Sequence, residues 1–403
     1  MGGGRAVRRL VASALLTVCS ACTAQQAQRE AGPWPPPGGR LVLEDFEWCP
    51  LEALPRFWSS HPDEPAGNAE IARCAVDEAE LPHLALALTA TVPADLREPM
   101  LIEAEGDLPI PALAQKLTLV ALGDPAGCEL HVRVQDARDE TFGFVVAELK
   151  RGECTTLLIP LDPAASAYHY AGDNDGTMQL PLRLQSIGLV AGAAAKAGAS
   201  PAVVIDEIAC ELPELEAIPV ELPEVDIAGG RPPWQLAGRN LGGTRLEVAA
   251  DEEYPKALCS WLDFAWGDGD QRTNSFAELL RPTSLDGAKG TLFAWIKGDG
   301  SGCLCTFRLR DATGEVLQFH RLRTLTLWRN WRCVFLDTYL DHRLYWLDHW
   351  DGNNSGLIDP PLSFESIVID DIAPSEASPE FPQSAARGRI GIGPVWFVPW
   401  TEE

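Results

Sequence analysis

Apolar and polar residues alternate along two stretches of this chain. The first stretch holds apolar residues at alternate positions in 132–134 and again in 142–144, and the second shows the same pattern across 306–320. A period of two places successive side chains on opposite faces of a sheet. Each stretch therefore predicts a β-hairpin, with polar turns at Asp136–Thr141 and Asp311–Glu315.

The two hairpins belong to an internal repeat. Leu117–Phe144 aligns without a gap with Leu292–Phe319, each residue matching the one 175 positions later, and the matches include identical Gly, Asp, Cys, Arg, Glu and Phe residues. Gly176–Ile187 aligns with Gly356–Ile367 at a slightly longer offset. Two collinear blocks predict two homologous modules of ordinary domain size. The predicted modules span residues 41–212 and 234–403.

Between the modules, residues 213–233 are rich in Pro and acidic residues and have no apolar period. This composition predicts a semi-extended linker. Short strands separated by turns at this spacing are typical of a β-sandwich or jelly roll. We therefore predict an all-β chain of two tandem jelly-roll β-sandwich domains, preceded by a signal peptide and a flexible linker at residues 23–40.

The first 22 residues have the pattern of an export signal. Arginines at positions 5, 8 and 9 precede the short apolar run Leu10–Val18, and two small residues then precede Cys22. The segment resembles a bacterial lipoprotein signal, which implies that Cys22 is lipidated and anchors the protein to the cell envelope. Cys19 stands where that motif usually has Leu, so ordinary secretion and a retained anchor stay open as alternatives.

Composition narrows the function classes. The chain has 403 residues with 32 Lys and Arg against 58 Asp and Glu, a formal charge of −26. Sequence-independent nucleic-acid binding needs clustered cations against phosphates, so no nucleic-acid partner is expected. The 35 Gly and 32 Pro argue against a helix-rich fold and agree with many turns.

Beyond the hairpins, both halves resemble carbohydrate-binding modules of the galactose-binding-like β-sandwich class. The first half carries the loop Asp173–Gly176 (DNDG), the strand PLRLQSIGL and a terminal VVIDEI, and the second carries His349–Gly356 (HWDGNNSG) and PLSFESIVID. The second half departs at its end, where Gly391–Val395 (GIGPV) replaces the acidic terminal strand. The resemblance implies the fold strongly and the ligand weakly, since one fold serves many functions.

In that class the first and last strands usually pair, and a structural Ca²⁺ often lies between them. The resemblance thus implies a disulfide between Cys49 and Cys210 and a Ca²⁺ site at Asp45, Glu47 and Asp206 in the first module. No other cofactor is expected. The repeat itself adds two candidate bridges, because an exported chain meets an oxidising compartment. These bridges are Cys128–Cys154 and its counterpart Cys303–Cys333, with Cys305 as an alternative partner.

Candidate ligand contacts concentrate in the second module. Sugars present apolar C–H faces and hydroxyl rims, so exposed aromatic rings beside short polar side chains suit them. The sequence offers two such sets: a loop set of Trp346, His349, Trp350, Asn353 and Asn354, and a sheet-face set that includes Arg308, Arg310 and His320. The two arginines are candidates for binding a uronate or sulfate. Loop packing and an ordinary solvated sheet face stay open as structural alternatives.

We find no familiar catalytic motif in the sequence. Asp370 and Asp371 are adjacent in a predicted strand, so they point to opposite faces and cannot both flank one glycosidic bond. The favoured interpretation is a non-catalytic lipoprotein that binds a polysaccharide, mainly through its second module. The alternatives are an envelope scaffold protein that binds other proteins and, less favoured, a polysaccharide-active enzyme.

Overall fold

The protein is described by a computed structural model. Its described residues are 38–46, 58–60, 70–75, 84–94, 100–146, 149, 151, 154–214, 218–219, 234–252, 258–267, 272–285, 289–320, 326–338, 346–378 and 383–400. Over these residues the chain is built from β-strands without an α-helix, which confirms the predicted all-β class. The described chain divides into two compact units at Pro213 and Glu214.

The described residues of the first unit form twelve strands in two antiparallel sheets. Their bounds are β1 Gly39–Glu44, β2 Ser59–Ser60, β3 Glu70–Ala75, β4 Leu84–Thr89, β5 Met100–Ile110, β6 Lys116–Asp124, β7 Cys128–Gln135, β8 Thr141–Val146, β9 Thr155–Pro160, β10 Tyr168–Tyr170, β11 Leu182–Ala191 and β12 Ala202–Leu212. Sheet 1A has the order β3-β4-β12-β6-β9, with β1 also paired to β12, and sheet 1B has the order β10-β8-β7-β11-β5-β2.

The second unit repeats this plan. Its strands are β13 Ile218–Pro219, β14 Gln235–Arg239, β15 Arg245–Ala250, β16 Leu258–Ala265, β17 Phe276–Ser284, β18 Gly290–Lys297, β19 Leu304–Arg310, β20 Val316–His320, β21 Trp331–Asp337, β22 Trp346–Trp350, β23 Ser363–Asp370 and β24 Arg387–Pro399. Sheet 2A has the order β15-β16-β24-β18-β21, with β13 also paired to β24, and sheet 2B has the order β14-β17-β23-β19-β20-β22. Each unit is thus a β-sandwich, as predicted.

Alternation along the strands builds the two cores. In β7, Leu130, Val132 and Val134 are at most 1% exposed. In β19, Phe307 and Leu309 are at most 2% exposed. The residues between them point to the opposite face of the sheet because the side-chain period of a strand is two. We call that opposite face of sheets 1B and 2B their outer face.

The predicted hairpins are confirmed at both places. β7 pairs with β8 across the turn that follows Gln135, and β19 pairs with β20 across the turn that follows Arg310. Pairing of the first and last strands, which the resemblance implied, is present as well, with Leu41 opposite Cys210. The predicted linker needs one correction. Ile218 and Pro219 form β13 and pair with Phe397 and Trp396 of the second sandwich.

Two of the predicted disulfides are wrong. Cys128, Cys303 and Cys333 carry free thiols, and so does Cys305. The physical reason is that each predicted pair joins opposite sheets: Cys333 lies in β21 of sheet 2A, whereas Cys303 directly precedes β19 of sheet 2B. Stacked sheets are on average about 10 Å apart, so a disulfide between them forms only where two Cα atoms approach within about 7 Å, and neither predicted pair is bonded. Burial raises the pKa of Cys303, Cys305 and Cys333 to about 12.

The remaining predictions near the N-terminus lie largely outside the described residues. This holds for the signal peptide with Cys22, for Cys49 of the third predicted disulfide, and for Glu47. Within the part of the chain that the structure describes, no helix has the length and apolar character needed to cross a membrane.

Candidate functional site

The outer face of sheet 2B centres on Arg308. Alternation in β19 turns its side chain away from the core, where Phe307 and Leu309 are buried. Its Nη1 lies 2.8 Å from Oε1 of Glu278 on β17, and its Nε donates to Oε1 of Gln318 on β20 at 2.6 Å. The guanidinium carbon is thus held near the middle of the sheet by partners on both sides.

Two aromatic rings flank the Arg308 guanidinium. Its carbon lies 5.1 Å from the ring centroid of Phe276 and 5.1 Å from that of Trp350. These distances are within the range of cation–π contacts. Trp350 ends β22 opposite Val316 of β20, at the edge of the sheet, and its side chain is partly exposed. The predicted residues Arg308 and Trp350, 42 positions apart in the chain, therefore meet on one surface.

Polar groups continue this surface across the neighbouring strands. Ser366 on β23 donates to Oε1 of Glu278 at 2.6 Å. Gln318 donates from Nε2 to Oδ2 of Asp370 at 3.4 Å. Asp348 lies opposite Gln318 on β22 and is exposed. An amide, carboxyl groups and a guanidinium thus lie beside the partly exposed indole of Trp350.

Asp370 has the most perturbed carboxyl group of this face. Its pKa is raised to about 7, chiefly by burial; Arg308 lowers it, and the nearby acids Asp348, Glu376 and Glu278 add to the rise. Its chain neighbour Asp371 turns the other way, where its Oδ2 accepts from Nε of Arg272 at 2.9 Å. The expectation that these two acids face opposite sides is therefore met.

Both arginines of the sheet-face set already have carboxylate partners. Arg308 pairs with Glu278, and Nε of Arg310 donates to Oε1 of Glu365 at 3.0 Å while its Nη1 donates to the carbonyl of Gly314. An anionic sugar would therefore have to displace a carboxylate from each guanidinium. The face suits a neutral ligand better than the uronate or sulfate considered from the sequence.

Some residues of the predicted loop set hold the loop in place instead of forming a ligand-binding surface. His349 lies on the opposite face of β22 from Trp350, and its Nδ1 is 2.8 Å from Oε1 of Glu315, whose side chain is fully buried. Asn353 donates from Nδ2 to Oδ2 of Asp359 at 2.8 Å. Asn354 has a positive φ of 51° in the turn that follows Asp351.

Glu315 holds the loop that follows β22 in place through several hydrogen bonds, which together we call the loop latch. Backbone N–H groups of Ser355 and Gly356 donate to its carboxylate at 3.0 and 2.8 Å. Burial opposes ionisation of Glu315, but the bonds from Gly356, Ser355 and His349 outweigh it, so its pKa is lowered. The first unit repeats this latch, with Glu140 accepting from His169 and from the backbone N–H of Gly176.

Two other predicted contacts are placed only by their backbone. His320 lies opposite Trp346 in the register of β20 and β22. The side chains of both residues lie outside the described part of the chain. Their role in ligand binding stays a prediction.

The calcium site also stays a prediction. Asp45 and Asp206 are described, and Asp206 is 8% exposed on β12, but Glu47 lies outside the described residues. Among described residues, three carboxylates within 4.8 Å of one another occur at Glu140, Asp173 and Asp175. The Glu140 carboxylate already accepts hydrogen bonds from His169 and Gly176 in the loop latch.

Sequence reasoning missed Phe276, Glu278 and Ser366 of this face, and it considered Asp370 only as half of a catalytic pair. One signal for Glu278 was available, since Glu103 stands 175 positions earlier, the offset of the aligned hairpins. A carboxylate at the same aligned place in both copies points to a shared partner, here the aligned arginine.

The comparisons with known proteins found matches among solved structures alone. No protein-family model matches the chain, and neither does any curated protein. Among solved structures, the chain is similar to the family 11 carbohydrate-binding module of the cellulosomal cellulase Lic26A-Cel5E of Clostridium thermocellum, at 16% identity over 43% of this chain and 95% of that one, with a TM-score of 0.29. It is also similar to the Clostridium thermocellum module in complex with a β-1,3-1,4-mixed-linked tetrasaccharide, at 16% identity, 44% and 97% coverage, and a TM-score of 0.29.

Proposed function

We propose that this chain is a non-catalytic carbohydrate-binding protein whose second sandwich binds a glycan on the outer face of sheet 2B. The observation that supports this best is the position of Trp350, partly exposed and 5.1 Å from the guanidinium of Arg308. Its ring offers a flat apolar surface beside several hydrogen-bonding groups. Aromatic residues with a few well-placed polar groups are the usual lining of small-molecule sites.

In the proposed complex, the C–H face of one sugar ring stacks on the indole of Trp350. Its hydroxyl groups reach the exposed Asp348 on β22 and the partly exposed Asp370 on β23, which lie on the same face. A carboxylate oxygen accepts a hydrogen bond from a hydroxyl group, so the two kinds of group suit each other. The arginines orient the surface through their carboxylate partners and are not free to bind an anion.

The proposed ligand is accordingly a neutral polysaccharide. Arg308 and Arg310, the two arginines of the sheet-face set, are each matched by a carboxylate, and Asp348 and Asp370 add acidic groups. A chain with a formal charge of −26 would also repel a polyanion at low ionic strength.

We further propose that the protein is exported and attached to the cell envelope through a lipid on Cys22. The support is the basic, apolar and small-residue order of residues 1–22. Mass spectrometry of the protein from a producing bacterium tests it. The expected N-terminal peptide begins at Cys22 and carries acyl chains. An unmodified N-terminal peptide that begins elsewhere would contradict the anchor.

The glycan proposal is tested by affinity electrophoresis of residues 23–403 in gels containing mixed-linkage β-glucan, xylan, galactomannan or polygalacturonate. We expect retention by a neutral polymer. Trp350→Ala should weaken the binding by roughly tenfold or more, because aromatic residues often contribute most of the binding energy of a site. Leu357→Ala, which also removes an exposed apolar side chain, should leave retention unchanged.

Two outcomes would contradict the glycan proposal. One is no retention by any polymer, which favours the scaffold alternative, and the other is retention by polygalacturonate alone. Repeating the gels with EDTA tests the predicted Ca²⁺ site at Asp45, Glu47 and Asp206 separately.

A further inference from the structure

The outer face of sheet 1B in the first unit repeats the central arrangement of sheet 2B. Arg133 stands 175 positions before Arg308, and its Nη1 lies 2.5 Å from Oε1 of Glu103. Ser186 of β11 donates to that same carboxylate, as Ser366 of β23 does to Glu278. We call each set of three residues an Arg–Glu–Ser triad.

Strand register shows that the two triads are equivalent. Arg133 lies opposite Ser186, and Arg308 lies opposite Ser366. In both places the register then slips by one residue, so even the β-bulge is repeated. The repeat in the sequence therefore extends to the side-chain contacts of the two outer faces.

An aromatic ring also lies at the same place over each triad. Tyr170 pairs with Thr141 and Trp350 pairs with Val316, and Thr141 and Val316 are themselves 175 positions apart. The Tyr170 ring centroid is 5.8 Å from the guanidinium carbon of Arg133. Tyr170 is thus the counterpart of Trp350 in geometry.

The first unit adds a second ring beside Tyr170. The ring centroids of Tyr168 and Tyr170 are 6.1 Å apart and their planes differ by 24°. The Tyr168 ring lies against Gly143 of β8, since a Cβ at Gly143 would come within 2.0 Å of that ring. Only glycine leaves room for the ring there, and the two stacked tyrosines form an aromatic strip on this face.

Hydrogen bonds hold Tyr168 in this position. Its hydroxyl is 3.0 Å from Nδ1 of His131 and accepts from Nε of Arg133 at 3.3 Å. Tyr170 beside it is 41% exposed. A fixed inner ring next to an exposed outer ring is an arrangement for contact with a flat apolar surface, and core packing does not require it on this side of the sheet.

The charges of this face match those of the second one. Arg133 is neutralised by Glu103, and the described polar groups next to the strip include the hydroxyl of Tyr168, the imidazole of His131 and the hydroxyl of Thr141. No unpaired cation attracts an anion among these residues. A neutral polymer segment with apolar C–H faces fits the strip.

We infer that the outer face of sheet 1B is a second glycan-binding face, formed around Tyr168 and Tyr170, and that one chain binds two segments of neutral polysaccharide. This inference rests on the proposed function of sheet 2B, because both faces are argued from the same arrangement. It goes further in assigning a ligand to the first unit and a stoichiometry of two to the chain.

The test is isothermal titration calorimetry of residues 23–403 with six-sugar fragments of the neutral polysaccharide that the electrophoresis panel retains most strongly. The expected stoichiometry is two fragments per chain. It should fall to one in Tyr170→Ala and to one in Trp350→Ala, and binding should vanish in the double variant. Leu158→Ala, which alters an exposed residue of β9 in sheet 1A, should keep two sites.

The outcomes separate the two claims. A stoichiometry of one that Trp350→Ala abolishes and Tyr170→Ala leaves intact would overturn the second face and keep the proposed function. A failure of every polymer and fragment to bind would overturn both. If Tyr170→Ala lowers stability as well as stoichiometry, Tyr170→Phe decides, since it keeps the ring and should retain the second site.

Discussion

The outer faces of sheets 1B and 2B share the Arg–Glu–Ser triad next to the sheet and differ in the side chains that lie above the triad. Arg133 and Arg308 have the same strand register, the same Glu partner and the same Ser donor. Above them, Tyr170 is replaced by Trp350. Where the first unit has Tyr168 opposite Gly143, the second has Asp348 opposite Gln318.

This difference separates the residues that stabilise the sheet from the residues that are open to contact with a ligand. A buried ion pair that loses one partner leaves a charge without compensation, so both members must be kept together. The residues above it touch solvent and can change without that penalty. The triads therefore hold each sheet, and under the proposed function the aromatic and polar residues above them select the ligand.

The largest expected effect comes from breaking one triad. Arg308→Met leaves the Glu278 carboxylate, whose side chain is 13% exposed, without its cation. We expect the second unit to lose about 3 kcal/mol of unfolding free energy. Hydrogen exchange followed by mass spectrometry measures this loss for each unit separately, and the first unit should not change.

Two control variants sharpen this prediction. Arg133→Met should destabilise the first unit by a similar amount, since Glu103 is 8% exposed at the side chain. The double variant Arg308→Met with Glu278→Leu should recover most of the loss, because no charge is then left unpaired. If the single variants unfold like the wild type, the triads are not supports.

A smaller effect is expected from the loop latch. Glu315→Gln weakens the charged hydrogen bonds from Gly356 and Ser355, which should cost about 2 kcal/mol. The Glu315 pKa is lowered, so its contribution is present above the unfolded value of about 4.3 and is lost as pH falls below that value. Denaturation between pH 5 and 3 should therefore affect Glu315→Gln less than the wild type.

The corresponding change in the first unit, Glu140→Gln, tests whether the latch is shared. It should destabilise the first unit alone, through the bonds from His169 and Gly176. Equal stability of either variant and the wild type at pH 7 would contradict the latch.

The last expected effect is a pH response that Asp370 gives to the second unit. The raised pKa of Asp370, about 7, means that its contribution to stability is present below the unfolded value of about 3.9 and is lost as pH rises through 7. Its counterpart in the register of the first unit is Val190, opposite Glu129 as Asp370 is opposite Leu304.

We therefore expect Asp370→Val to flatten the fall in stability of the second unit between pH 5 and 8. Hydrogen exchange at these pH values measures the slope for both units in one sample. A wild-type slope that Asp370→Val leaves unchanged would assign the response to another group.

The fold was largely predictable from the sequence because it depends on local patterns. Alternation around Val132 and Phe307 predicted the hairpins, and the repeat predicted two sandwiches. The site was predictable only in part. Arg308 and Trp350 stood out by residue type, but their meeting depends on how β19, β20 and β22 pair.

The errors have a physical origin of the same kind. Cys303 and Cys333 have convenient spacing in the sequence, but their strands lie in different sheets, and spacing does not show whether the two residues come close enough to bond. His349 resembles a ligand contact in sequence because it adjoins Trp350. The strand period of two turns it to the other face, where the buried Glu315 needs a partner.

The indole N–H signal of Trp350 offers the most direct test of the central claim that the ring above the second triad binds a glycan. Residues 23–403 would be labelled with ¹⁵N, the signal assigned by its loss in Trp350→Phe, and six-sugar fragments of the retained neutral polysaccharide added stepwise. We predict a saturable shift of the Trp350 signal, with no shift for Trp261, which is 8% exposed in sheet 2A. A Trp350 signal that stays fixed while the fragments bind would contradict the account.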